Sequence, residues 1–182
     1  EGEWLEVGLG LLERNLACRT LDVIRGDERA DTELSKRHGA TSVREYEREG
    51  YLPEALGNFL ALLGWSPGGD DELFTKDELV RRFSLEGIST GNAVFNTEKL
   101  DWFNHQYLGR LDDATLVSRL RPWLERAGLW HDDLDGNRRE WFFAVLMLLR
   151  PRSKRLGDFV DGAQPFLMAP TGYDPDGVAK HL

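Results

Sequence analysis

The chain has 182 residues, 41% hydrophobic and 30% charged, with 23 Lys and Arg against 32 Asp and Glu for a net charge of −9. That length suits one domain or two small ones with a real core, and plentiful Leu, Phe and Trp without a low-complexity run exclude a disordered tail. No apolar run approaches the roughly 20 residues of a membrane helix, and a single cysteine, Cys18, leaves neither an internal disulfide nor a multi-cysteine zinc site.

Charge and the first residues set two further expectations. Glu1, Glu3 and Glu6 stand where a signal peptide would carry bases, so the expected location is cytoplasmic. The acidic balance argues against a nucleic-acid partner for the surface as a whole. Its distribution does not: residues 1–33 hold 9 acids and 4 bases, whereas Arg150, Arg152, Lys154 and Arg155 make four of six residues basic. Local cations can grip phosphate on an acidic protein.

In chain order, residues 21–24 (Leu-Asp-Val-Ile) read as a short buried strand ending at Arg25-Gly26-Asp27. From Ser42 onward the punctuation is helical. Ser42-Val43-Arg44-Glu45 is a capping box. Pro53 suits a first helical turn, and Leu52, Ala55, Leu56, Phe59, Leu60 and Leu63 follow at helical spacing until Gly64. Thr75-Lys76-Asp77-Glu78 is a second capping box feeding Leu79, Val80 and Phe83. A helix from about Asn96 puts Leu100, Phe103 and Tyr107 on one face. Asp112 or Asp113 caps the next, with Leu116, Leu120, Trp123, Leu124 and Ala127 inward, a kink at Pro122 and Gly128 at its end. The last strong helix is expected over 137–149, stopping before Pro151. The fold class is therefore mostly α, in two helical bodies joined near 108–113.

The densest chemical signal is Glu33-Leu34-Ser35-Lys36-Arg37-His38-Gly39-Ala40-Thr41-Ser42. A mobile ammonium, a rigid guanidinium, hydroxyls and free backbone donors near a helix start form a kit for phosphate chemistry. By residue types alone, a solvated basic turn is the better reading. The order of residues adds to this. Leu34-Ser35-Lys36-Arg37-His38-Gly39-Ala40-Thr41-Ser42-Val43 resembles the "KMSKS" lysine loop of class I aminoacyl-tRNA synthetases, in the form found in bacterial glutamyl-tRNA synthetases. The similarity continues through Glu49-Gly50-Tyr51-Leu52-Pro53, Leu63-Gly64-Trp65, Phe74-Thr75, Glu98-Lys99-Leu100-Asp101-Trp102, Asn104, Tyr107 and Arg150-Pro151-Arg152.

The resemblance implies an ATP-dependent glutamate–tRNA ligase that uses Mg2+ as the ATP complex, with tRNA-Glu, ATP and L-glutamate as partners and a monomeric state. It divides the chain into an α/β remnant of the catalytic domain at 1–41, a stem-contact helical region at 42–110 and part of an anticodon-binding helical region at 111–182. Lys36 is then the catalytic lysine that meets the α-phosphate, with Ser35 and Arg37 beside it at ATP. Arg25, in Val23-Ile24-Arg25-Gly26, matches an arginine that contacts the substrate glutamate, a fork of donors facing a carboxylate; an arginine in a turn is the alternative. No metal ligand set is implied.

For tRNA the resemblance implies Lys99, Trp102 and Arg152. Lys99 and Trp102 lie three apart on one helix face, although Trp102 could equally be core. Arg152 matches the position that reads the third anticodon base and separates glutamate from glutamine tRNA, while a helix C-terminal cation is the alternative and suits Arg150 better. The chain departs from the family in three places. Glu33 replaces a lysine and repels ATP, only six residues separate Glu28 from Ser35, and none of His38, His105, His131 and His181 forms a His-x-Gly-His signature. The chain thus reads as a truncated or divergent portion of a synthetase. A non-catalytic tRNA-binding helical module derived from one is the alternative, and an unrelated helical interaction domain is a third, weaker reading.

Overall fold

The fold is taken from a computed structural model that describes residues 43–89, 94–169 and 172. Among the described residues 65% are helical, in seven α-helices without a sheet. The expected α/β remnant, the strand at 21–24 and the Ser42 cap lie outside the described residues. The chain divides into two compact units, one ending at Arg110 and one beginning at Leu111.

The first unit holds α1 (Val43–Arg48), α2 (Pro53–Leu62), α3 (Lys76–Arg82) and α4 (Thr97–Arg110). Pro53 opens α2 at its first turn, where its missing N–H costs nothing. The α2 face carrying Leu56, Phe59 and Leu60 packs on Leu100 and Phe103 of α4, with Tyr51 and Phe95 closing the cluster. Phe59 meets Phe95 and Phe103 edge-on, with ring centroids 5.1 and 5.8 Å apart, the arrangement the aromatic quadrupole favours.

Two buried amides tie loops to this core. Asn104 Oδ1 accepts from the Leu52 N–H at 2.7 Å, and Asn58 Oδ1 accepts from the Phe74 N–H at 2.8 Å. The Tyr107 hydroxyl stands 2.7 Å from Asn58 Oδ1 and 2.6 Å from the Phe74 carbonyl oxygen, so its one proton is shared between two acceptors.

The capping box of α3 forms as expected: Glu78 Oε2 accepts from the Thr75 N–H at 2.8 Å while Thr75 Oγ1 accepts from the Glu78 N–H at 3.3 Å. The helix it starts differs from expectation, because none of its residues is buried and Val80 is exposed. The segments on either side of it are held instead. Trp65 and Ile88 form an antiparallel bridge, flanked by Ser66 N–H to the Gly87 carbonyl and Ser89 N–H to the Gly64 carbonyl, both 2.9 Å. Gly87 is required there, since a Cβ would stand 2.4 Å from the Ser66 carbonyl oxygen.

The second unit holds α5 (Asp113–Arg126), a 3-10 turn (Asp132–Leu134), α6 (Arg139–Leu149), a second 3-10 turn (Arg150–Arg152) and α7 (Leu156–Leu167). Asp112 caps α5, its carboxylate accepting from the Thr115 N–H at 2.9 Å. The helix runs through Pro122 and ends at Gly128 (φ +69°), where Leu129 N–H bonds the Leu124 carbonyl at 2.8 Å and Gly128 N–H the Glu125 carbonyl at 3.1 Å. This is a Schellman closure. Leu116, Leu120 and Leu124 are buried as expected, but Ala127 is exposed because it falls at the cap.

The expectation that the helix ending at Leu149 is the last is overturned by α7, which packs on both α5 and α6. The Asp158 carboxylate starts it by accepting from the N–H groups of Lys154 (2.7 Å) and Arg155 (3.0 Å). Phe159 and Ala163 are its fully buried contacts. No helix among the described residues is long and apolar enough to cross a membrane.

Candidate nucleic-acid interface

Arg25, Ser35, Lys36 and Arg37 lie outside the described residues; Lys99, Trp102 and Arg152 lie within them. Among the described residues no three His, Cys, Asp or Glu side chains are grouped as a metal site.

Asn96 starts α4. Its side chain accepts from the Lys99 N–H at 3.0 Å and its carbonyl from the Leu100 N–H at 3.0 Å. The helix then has two working faces. Inward, Asp101, Asn104 and Tyr107 hold the turn at 50–52 and the loop at 73–75: Tyr51 Oη donates to Asp101 at 2.6 Å, and Asn104 also donates to the Gly50 carbonyl at 3.4 Å. Outward, Lys99 and Trp102 sit together over the buried Phe103. The Lys99 ammonium stands 5.9 Å from the Phe103 ring centre, and the Trp102 ring meets the same ring edge-on at 5.1 Å. Trp102 is 41% exposed, so it is not the core tryptophan that was its alternative reading. Sequence reasoning missed the partner of Lys99. Its ammonium pairs with the carboxylate of Glu72, 27 residues earlier, and both side chains stay nearly half exposed.

Arg152 ends the 3-10 turn after α6 and is exposed. Among the described cations of the second unit, its guanidinium is the one without a hydrogen bond, ion pair or ring contact. The others are committed locally. Arg121 bonds Glu125 at 2.8 Å and stacks on Trp130 at 4.8 Å. Arg138 reaches Asp133 at 3.4 Å and lies 4.2 Å over the Trp141 ring. Arg139 pairs with Asp135 at 3.9 Å and covers Phe143 at 5.1 Å, and Arg126 covers Trp123 at 4.6 Å. Three of these four stacks have helical i,i+3 or i,i+4 spacing and were available to a sequence reading. Arg150 is mostly buried, its Nη2 donating to Asp113 Oδ1 at 2.9 Å, which no local spacing announces.

Three shifted titrations mark the first unit. Burial pushes the Tyr107 hydroxyl up to about 12, with Arg110 opposing and the carboxylates of Glu54 and Glu78 adding to the rise. Burial, helped by Glu49 and Glu45, likewise takes Tyr46 to about 12. Hydrogen bonds from Thr75 hold the Glu78 carboxyl below its usual range.

Residues 21–102 match the family model for the catalytic domain of class I tRNA synthetases (E and Q), and residues 115–182 match that for an anticodon binding domain. A glutamate–tRNA ligase of Moorella thermoacetica is 43% identical over 153 residues, covering 83% of this chain and 31% of the relative. Glutamate–tRNA ligase 1 of Syntrophomonas wolfei is 42% identical over 174 residues, covering 96% of this chain and 34% of the relative. The crystal structure of a glutamate tRNA ligase from Elizabethkingia meningosepticum in complex with its amino acid superposes with a TM-score of 0.63 at 30% identity. It covers 74% of this chain, which spans 26% of that protein. The chain thus spans about a third of the length of the curated relatives it matches.

Proposed function

The chain belongs to the class I tRNA synthetases (E and Q), and on that premise we propose that it does the work of a glutamate–tRNA ligase. The reaction is ATP-dependent: the glutamate carboxylate attacks the α-phosphorus of Mg2+-bound ATP, the bond to the β-phosphate breaks and pyrophosphate leaves. The glutamyl group then passes from AMP to the 3′ end of tRNA-Glu. Lys36 meets the charge that builds on the α-phosphoryl oxygens, Ser35 and Arg37 hold ATP beside it, and Arg25 grips the substrate glutamate. The helices at 42–110 form a stem-contact region with Lys99 and Trp102 toward the tRNA. Those at 111–182 form an anticodon-binding region in which Arg152 meets the third anticodon base. A cytoplasmic location is part of the same proposal.

One observation carries this reading: glutamate–tRNA ligases stay 42–43% identical across 83–96% of the chain, in a single order of motifs. The half-exposed Lys99 and Trp102 and the uncommitted Arg152 support the tRNA-facing part. Glu33, where the lysine loop carries lysine, favours the second reading, a helical module that holds tRNA without catalysis.

Two assays separate the readings. Filter binding of labelled tRNA-Glu measures holding, and ATP–pyrophosphate exchange in a full-length synthetase carrying this segment in place of its own measures the chemistry. Lys36→Ala is expected to slow exchange at least about tenfold, the effect of ~1.4 kcal/mol of lost transition-state binding, with tRNA affinity unchanged. Binding with no exchange at all supports the module. Absence of binding overturns both readings.

A further inference from the structure

Arg150 and Arg152 are the first and last residues of one 3-10 turn, and the structure treats them oppositely. Arg152 reaches into solvent. The Arg150 side chain is only 17% exposed, with Nη2 on Asp113 Oδ1 at 2.9 Å. Asp113 opens α5, whose start is fixed independently by the Asp112 cap. The far side of the turn is fixed too. Ser153 is 2% exposed; its Oγ donates to the Leu149 carbonyl at 3.0 Å and its N–H to the Arg150 carbonyl at 3.3 Å. The turn is therefore clamped at both ends, and the one charged side chain on it without an intramolecular partner is Arg152.

Resting on the reading of Arg152 as the residue that meets the anticodon, we infer that Arg150, held by Asp113, is a positioning residue. It fixes the backbone from which Arg152 reads the base, and so sets discrimination between tRNA-Glu and tRNA-Gln. The chemistry demands such a device. A guanidinium bonds a base edge through two parallel hydrogen bonds, and that geometry tolerates little displacement. A long exposed arginine also loses rotamer freedom on binding, so a fixed backbone limits what must be ordered. An arginine that only complemented a helix dipole could stay in water; Arg150 is instead drawn out of it onto a carboxylate 37 residues away.

The test is filter binding of tRNA-Glu and tRNA-Gln transcripts to the full chain and to Asp113→Asn, Arg150→Lys, Arg152→Gln and the Asp113→Asn/Arg152→Gln double variant. Asp113→Asn leaves the Asp112 cap in place and is expected to lower the ratio of the two affinities at least about fivefold, the low end for one lost bidentate contact. In the Arg152→Gln background the same substitution is expected to leave the ratio unchanged. Arg150→Lys, which keeps the charge but loses the fork, gives the same readout should Asp113→Asn fold poorly. A parallel loss for both tRNAs, or an equal effect of Asp113→Asn in both backgrounds, overturns the inference and leaves the pair structural. If Arg152→Gln itself leaves the ratio unchanged, the reading of Arg152 fails and the inference falls with it.

Discussion

Asn104 Oδ1 accepts the backbone N–H of Leu52 at 2.7 Å across 52 residues of sequence, with Asn104 fully buried. The bond fixes the turn between α1 and α2 onto α4, so the amide acts as a structural pin. Asn104→Leu keeps the bulk but strands the Leu52 N–H and the Gly50 carbonyl away from water. A buried group left unpaired costs about 1–3 kcal/mol, so the urea midpoint should fall accordingly. An unchanged midpoint would show that the turn finds other partners.

Tyr107 and Tyr46 give the first unit an alkaline limit. Both hydroxyls are held near 12 in the folded chain against 10.0 when free. Below pH 10 both states keep the proton and stability is unaffected. Between 10 and 12 the unfolded chain releases it first, so stability falls as pH rises through that window. Urea melts at about pH 9 and about pH 11 should show a smaller loss for a Tyr46→Phe/Tyr107→Phe variant than for the native chain. An identical loss would mean that neither hydroxyl governs the limit.

Lys99 is partnered before any tRNA arrives. Phosphate must compete with the Glu72 carboxylate for it, and a half-exposed pair of this kind is worth about 0.2–1 kcal/mol. Glu72→Gln should then raise tRNA affinity up to about fivefold, more at low salt, and should do nothing in a Lys99→Ala background. A gain that survives Lys99→Ala would assign the effect to general repulsion by Glu72.

The helices whose starts are written locally were legible in the sequence. Pro53 removes one free backbone donor at a helix start, while the box at Thr75 and Glu78, Asn96 and Asp112 satisfy such donors within one turn, and a reader needs only spacing to find them. What failed depended on distant contacts. Within twelve residues α7 carries Gly157, Gly162 and Pro165, which disqualify it by propensity. At Gly162 a Cβ would come 2.7 Å from Leu149 Cδ2, so the residue that weakens the helix locally leaves room for that side chain of α6. The candidate site divides in the same way. Order of motifs singled out Lys99, Trp102 and Arg152, whereas the partners that set their surroundings, Glu72 and Asp113, lie 27 and 37 residues away from the residues they bond. No periodicity links such pairs.

Phosphate grip and base reading are separable within one short segment. Lys154 is exposed two residues beyond Arg152, and its backbone N–H donates to Asp158 at 2.7 Å. An ammonium offers a point charge with rotatable donors, which suits phosphate and carries no base information. Lys154→Ala should therefore weaken tRNA-Glu and tRNA-Gln alike and reduce the slope of log affinity against log salt by about one. Arg152→Gln should instead change the ratio of the two affinities, costing the correct tRNA about 1–3 kcal/mol. Because both cations share one segment, a general charge effect would treat them the same. Filter binding at two salt concentrations resolves the two patterns, and matching salt slopes with matching ratios for both variants would reduce Arg152 to a second phosphate contact.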